Sequence, residues 1–164
     1  MTLLPSGRIF FSRLRRAVWH LLRRIWRADR LYTFRLPCGA RFDYPLDSAI
    51  GKFLFCGGFE AAELEFTRQH VKAGDIVLDV GANGGLYTVV MARLVGLTGH
   101  VYAFEPGARA LKLLRHNIAV NELTNVTVIA AAVSNTTGQA SFAVADDTAM
   151  KGSVPMLDLL LRNG

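Results

Sequence analysis

The residues with the most chemistry in their spacing are Asp79-Val80-Gly81-Ala82-Asn83-Gly84-Gly85-Leu86-Tyr87-Thr88. Ahead of them, Ile76-Val77-Leu78 is a short aliphatic run introduced by the turn signal Ala73-Gly74-Asp75. Behind them, Val89, Val90, Ala92, Leu94 and Val95 continue as an apolar segment to Gly96. The pattern predicts a buried strand, a glycine-rich turn and a helix. Glycine in such a turn tolerates positive φ and lets a ligand come close to the backbone. The helix behind it aims its unpaired N–H groups at whatever fills the turn. A second acid comes from the next predicted strand, His100-Val101-Tyr102-Ala103-Phe104, which ends in Glu105 before Pro106. Glu105 stands 20 residues beyond Gly85, about where an acid on a second strand tip accepts hydrogen bonds from ribose hydroxyls.

Dinucleotides and S-adenosylmethionine both use this geometry, and charge separates them. The dinucleotide fingerprint is G-x-G-x-x-G, with the pyrophosphate on the helix N-terminus. Here the residue two after Gly81 is Asn83, so the spacing fails. Asp79 at the strand tip would also repel a pyrophosphate in a poorly solvated crevice. The same carboxylate suits a ligand carrying an ammonium and a sulfonium and no phosphate. The charge pattern therefore favours S-adenosylmethionine, lying across two adjacent strand ends.

The elements that must position these groups are legible in outline. Leu31–Phe34 and Arg41–Tyr44 flank Pro37-Cys38-Gly39-Ala40 and suggest a hairpin extending the main sheet. Lys52–Phe55 reads as a short strand, Cys56-Gly57-Gly58 as a turn, and Phe59–Val71 as a helix. Glu60 opens that helix, where a negative charge is favourable on dipole grounds alone. After Glu105-Pro106 a further helix has Leu111, Leu114 and Ile118 on its inner face, with Asn117 and Asn121 at its end. Val126–Val133 is a third strand, Ala140–Ala145 a returning strand, Asp146–Ser153 a loop, and Pro155–Leu161 a last helix.

The chain has 164 residues, half of them hydrophobic, enough for one domain with an appendage. Its net charge of +6 is unevenly placed: residues 1–30 hold eight arginines and one acid, Asp29, leaving −1 for the rest. That distribution argues against a nucleic-acid-binding surface on the folded part. Residues 8–28 predict an amphipathic helix, with Phe11, Leu14, Val18, Leu21 or Leu22, and Ile25 on one face and Arg13, Arg16, His20, Arg23 and Arg27 on another. Such a helix suits an anionic membrane surface, or equally the body of the protein or a partner. Arginines interrupt every apolar run, which excludes a signal peptide or a spanning segment. Cys38 and Cys56 have neither metal spacing nor a C-x-x-C, and read as small buried residues.

Asp79-Val-Gly-Ala-Asn-x-Gly-x-Tyr-Thr88 and Val101-Tyr-Ala-Phe-Glu-Pro106 resemble the FkbM-type S-adenosylmethionine-dependent methyltransferases, as do Gly58-Phe59-Glu60 and Leu114-Arg115-x-Asn117-x-x-x-Asn121. The resemblance covers roughly Gly58 to Gly138. It implies a Rossmann-like α/β class I methyltransferase fold, here incomplete: three parallel strands with helices, preceded by a hairpin and a basic amphipathic helix. The implied organisation is a basic helical segment over 1–30, a hairpin extension over 31–57, and a truncated methyltransferase domain over 58–164. The implied cofactor site is Asp79, Gly81, Ala82, Asn83, Gly85 and Glu105, joined by Glu60, Tyr87 and Thr88, with no metal and no assignable catalytic base.

A fourth strand with an acidic loop is expected after the Leu-Asp-Leu-Leu segment and does not follow. The expected strand order 3-2-1 then leaves strand 1 as an apolar edge, a product of truncation that is marginal or aggregation-prone. The implied activity is O-methylation of a small molecule or sugar, in the cytoplasm and peripheral on the inner membrane face. The alternatives are a cofactor-binding remnant without catalysis, a membrane-associated interaction module, and an NAD-binding domain, whose fold is shared.

Overall fold

The computed structural model describes residues 6–25, 30–57, 59–141 and 153–158. The chain divides into two compact units, Met1–Phe66 and Thr67–Gly164.

The first unit opens with helix α1 (Ser6–Ile25), so the predicted amphipathic helix is present, while its last residues, 26–28, lie outside the described residues. Strands β1 (Leu31–Arg35) and β2 (Arg41–Pro45) pair antiparallel, with Phe34 opposite Phe42. Phe34, Leu36, Ala40, Phe42, Tyr44 and Leu46 bury their side chains to form the core of this unit. The hairpin is a two-stranded sheet of its own, not an extension of the parallel sheet. Cys38, expected to be buried, is exposed at its turn.

Lys52–Phe55, expected as a strand, belongs to helix α2 (Ala49–Cys56). The reason is capping. The Ser48 hydroxyl accepts from Gly51 N at 2.9 Å, and Gly57, at φ +81°, closes the helix in the left-handed conformation with its N–H on Phe53 O at 3.0 Å. A side chain at Gly51 would run into the Pro45 carbonyl, so this helix lies close against the hairpin. Helix α3 (Ala61–His70) follows; Gly58, part of the predicted turn, lies outside the described residues.

The second unit carries the site. Strands β3 (Ile76–Val80), β4 (His100–Phe104) and β5 (Val126–Ile129) form a parallel sheet in the order β3-β4-β5. Helices α4 (Leu86–Val95) and α5 (Ala108–Val120) are the crossovers. Side chains alternate across a strand. Val77 and Val101 pack under Met91, Ala92 and Val95 of α4, while Ala103 and Val128 pack under Leu111 and Leu114 of α5. The fully buried Val95, Val101 and Leu114 each contribute about 1.5–3 kcal/mol by leaving water. The architecture is a partial Rossmann-like α/β methyltransferase fold, with a hairpin and an N-terminal helix.

The expected third strand, Val126–Val133, is two strands. Ala131 N bonds to Ile129 O at 2.9 Å, a tight turn that ends β5. Strand β6 (Ala132–Ser134) then joins β7 (Gly138–Ser141) and β8 (Ser153–Asp158) in a separate sheet ordered β6-β8-β7. The helix expected to begin at Pro155 is therefore a strand over the residues described, with 159–161 outside them. Proline pushes the residue before it toward extended backbone. The β6 register begins only at Met156, so Pro155 meets a neighbour on the β7 side alone. The expected loop over 146–152 and the end of the returning strand, 142–145, also lie outside the described residues.

Among the described residues β3 is the sheet's edge, and its outward side chains Ile76, Leu78 and Val80 are 72, 51 and 59% exposed. An apolar edge with unpaired backbone groups is a template for further pairing. Leu78→Lys should therefore reduce concentration-dependent light scattering of this polypeptide while leaving its stability within about 0.5 kcal/mol. Unchanged scattering would show that this edge is not the route of self-association.

Candidate cofactor-binding site

The turn between β3 and α4 is held by backbone bonds to the tip of β4. Gly81 N and Ala82 N both donate to Phe104 O at 2.9 Å, and Gly85 N donates to Ala82 O at 2.8 Å. Asn83 N donates to Glu105 Oε2 at 2.8 Å, and Gly107 N to Glu105 Oε1 at 2.7 Å. Glu105 is buried and braces the loop on one side and the entry to α5 on the other. Three residues of the turn take positive φ: Gly81 (+79°), Asn83 (+49°) and Gly85 (+87°). At Gly81 nothing lies within 4 Å of where a Cβ would stand, so that face of the loop is open. At Gly85 a Cβ would meet Leu114 Cδ1 at 2.6 Å, so this glycine serves the close packing of α5.

Asp79 is half-buried at the end of β3 and faces the first turn of α4. Its Oδ2 accepts from the Thr88 hydroxyl, and the Thr88 backbone N–H also bonds to the carboxylate. Burial pushes the Asp79 carboxyl above the ordinary aspartate value; the Thr88 bonds oppose that shift and the nearby Glu105 charge adds to it. Among the described residues neither Asp79 nor Glu105 has a cationic partner.

The sequence-predicted residues divide accordingly. Asp79, Gly81, Ala82, Asn83, Gly85, Thr88 and Glu105 come together at adjacent strand tips. Tyr87 packs on the apolar cluster of Met91, Ala92, Val95 and Val101. Glu60 lies in the first unit, at φ +45° ahead of α3, where its carbonyl accepts from Leu64 N.

The sequence places Asn117 at a helix end and within the family-like Leu114–Asn121 spacing. It is fully buried, and its Nδ2 donates to Gly84 O at 2.8 Å, tying the loop to α5. Its signal was present: an amide three residues after Leu114, on the buried stripe of an amphipathic helix. A cavity of about 240 Å³ lies elsewhere, between the C-terminal ends of α4 and α5. Its polar groups are engaged with the chain: Arg93 bonds to Asn121 O, and Asn125 to Ala92 O and Gly96 O. Among the described residues no group of three or more His, Cys, Asp or Glu side chains is placed to hold a metal.

S-adenosylmethionine was tested against this set by the donors left over. The N–H groups of residues 81, 82, 83 and 85 and of Thr88 are all used within the chain. Two carboxylates, with no cationic partner among the described residues, stand beside an open glycine face, and their charge disfavours a diphosphate there. The residues present fit an adenosyl ligand bearing positive charge.

Fold and loop together define a Rossmann-like α/β domain of the methyltransferase class. Residues 79–160, half of the chain, match the Methyltransferase FkbM domain, and the chain belongs to that family of S-adenosylmethionine-dependent methyltransferases. It is 40% identical over 70 residues to a protein-L-isoaspartate O-methyltransferase of Ignicoccus hospitalis, covering 43% of this chain and 30% of the relative. It is 35% identical over 71 residues to a probable cobalt-precorrin-6B C(15)-methyltransferase (decarboxylating) of Saccharolobus solfataricus, covering 43% of this chain and 36% of the relative. Among solved structures, an S-adenosylmethionine-dependent O-methyltransferase from Thermotoga maritima aligns with a TM-score of 0.41 and 26% identity, over 60% of this chain and 40% of that one. The chain thus spans about a third of the length of the curated relatives it matches.

Two outcomes follow. Asn117→Ala leaves the Gly84 carbonyl unpaired in a buried setting and should cost about 1–3 kcal/mol in urea unfolding; a smaller loss would mean the loop is held by its backbone bonds alone. For Asp79 the sign follows from linkage. A raised native pKa means the folded state keeps the proton where the unfolded chain has lost it. Its contribution to stability is thus fully present below the ordinary aspartate value and disappears as pH rises through the raised one. Asp79→Asn should remove that slope from the unliganded protein's melting profile; identical profiles would contradict the shift.

Proposed function

We propose that the chain carries the cofactor half of an S-adenosylmethionine-dependent methyltransferase that O-methylates a small molecule or sugar. The observation that supports this most is the pair of carboxylates, Asp79 and Glu105, on neighbouring strand tips beside an open glycine face, with no cation to neutralise them. Asp79 takes the ammonium of the ligand's amino-acid end. Glu105 takes the ribose hydroxyls; each of its oxygens already accepts one backbone N–H and keeps a lone pair for the ligand. Gly81–Gly85 and the start of α4 shape the cradle between them.

When bound, S-adenosylmethionine supplies an electrophilic methyl group on a sulfonium. The chain's own contribution is to hold the donor rigidly for in-line approach, where proximity and alignment account for much of the rate. No general base is assigned to these residues. The acceptor is a small molecule or glycan, not a nucleic acid. The setting is cytoplasmic, with residues 8–28 against the inner surface of an anionic membrane.

Titration calorimetry tests the site. S-adenosylhomocysteine should bind and NAD should not, and Asp79→Ala and Glu105→Ala should each abolish binding in a full-length homologous protein. Affinity for S-adenosylmethionine should fall as pH drops through the raised Asp79 value, because protonation removes the charge that faces the ligand. Unchanged affinity in either variant, or tighter binding of NAD, would refute the assignment.

A further inference from the structure

Helix α1 has two apolar faces, and only one is used by the protein. Trp19 is 3% exposed, and its indole Nε1 donates to Leu46 O at 2.8 Å. Lys52 Nζ lies 5.2 Å from the centre of its ring, so the first unit holds the helix by this residue. Leu14, Val18, Leu21 and Ile25 are exposed. Their spacing of four, three and four residues puts them on one narrow stripe. At 3.6 residues per turn that stripe lies about 130° round the helix from Trp19.

Arg24 projects about 90° to one side of the stripe, Arg15 lies on the Trp19 side with its guanidinium beside Gly57, and Arg16 is exposed on the polar side. Among the described residues no acidic side chain pairs with Arg15, Arg16 or Arg24. No helix among these residues is long and apolar enough to cross a membrane.

We infer that α1 is an interfacial membrane anchor: Leu14, Val18, Leu21 and Ile25 enter the acyl boundary of an anionic bilayer, Arg24 reaches its headgroups, and Trp19 rivets the helix to the first unit. The occupant follows from the order of chemistry across the exposed surface. A nucleic-acid backbone needs cations at the centre of the contact, whereas here the centre is aliphatic and Arg24 lies at its rim. A lipid surface matches that order, with apolar burial in the middle and charge attraction at the rim. The long arginine stem lets the charge stay at headgroup level while the stripe is buried. A helix held by Trp19 on one side cannot roll, so the stripe is presented in a fixed orientation.

This inference rests on the membrane-surface reading of residues 8–28 and is independent of methyl transfer. It is tested by co-sedimentation of the full chain with phosphatidylcholine vesicles, with and without phosphatidylglycerol. Binding should require the anionic lipid and weaken with salt. Leu21→Glu/Ile25→Glu should weaken it at least about tenfold, as should Arg24→Glu, with melting temperature and S-adenosylhomocysteine affinity unchanged in both. Equal binding to neutral vesicles, no binding to anionic ones, or full binding by either variant would overturn it. So would a dimer in lipid-free solution that Leu21→Glu/Ile25→Glu converts to monomer, since the stripe would then be covered by a second copy.

Discussion

Everything at the C-terminal end of the sheet depends on a carboxylate that accepts backbone hydrogen bonds from two different turns. Glu105 takes the Asn83 N–H with one oxygen and the Gly107 N–H with the other. A charge-assisted bond of this kind is about twice as strong as a neutral one. It helps to hold Asn83 in its left-handed conformation. The loop between β3 and α4, the tip of β4 and the start of α5 are joined at this point. The two bonds to Phe104 O and the Asn117 bond to Gly84 O extend the same fixation along the loop. Glu105 thus shapes the cradle as well as facing its proposed ligand, and a change there removes both.

The parts legible in the sequence were those set by local pattern. Ile76–Val80 and His100–Phe104 appeared at the expected bounds because an aliphatic run between turn signals, followed by a helical period, has few other solutions. The misread parts were decided by capping and by strand pairing, which the apolar run itself does not carry. Phe53, Leu54 and Phe55 look like strand residues, yet the Ser48 cap, the Gly57 terminator and the close approach of Gly51 to Pro45 make them helical. Pro155–Asp158 has the composition of a helix start, but lies between two strands that share its backbone.

The site was half legible for a similar reason. Residue type and spacing pointed to Asp79, Gly81 and Glu105 as ligand-facing groups. Nothing in the spacing showed that the Asn83 N–H is already taken by Glu105, that Gly85 makes room for Leu114, or that Tyr87 packs on the Met91 cluster. A glycine motif records where side chains are excluded and does not say whether a ligand or a neighbouring helix excludes them. Asn117 shows the converse. Its polarity on a buried stripe was visible, but its partner, Gly84, lies 33 residues away.

Asp79 and Glu105 also set the electrostatic character of the domain. Two carboxylates within reach of each other and partly out of water repel, and the protein relieves this only in part, through Thr88 and the start of α4. A fold selected for stability alone would place an asparagine at one position or a lysine nearby. In the proposed complex the ligand's ammonium supplies the missing positive charge and favours the ionised form of Asp79. The dinucleotide alternative meets the same obstacle: a diphosphate would add negative charge to a crevice that already holds two carboxylates.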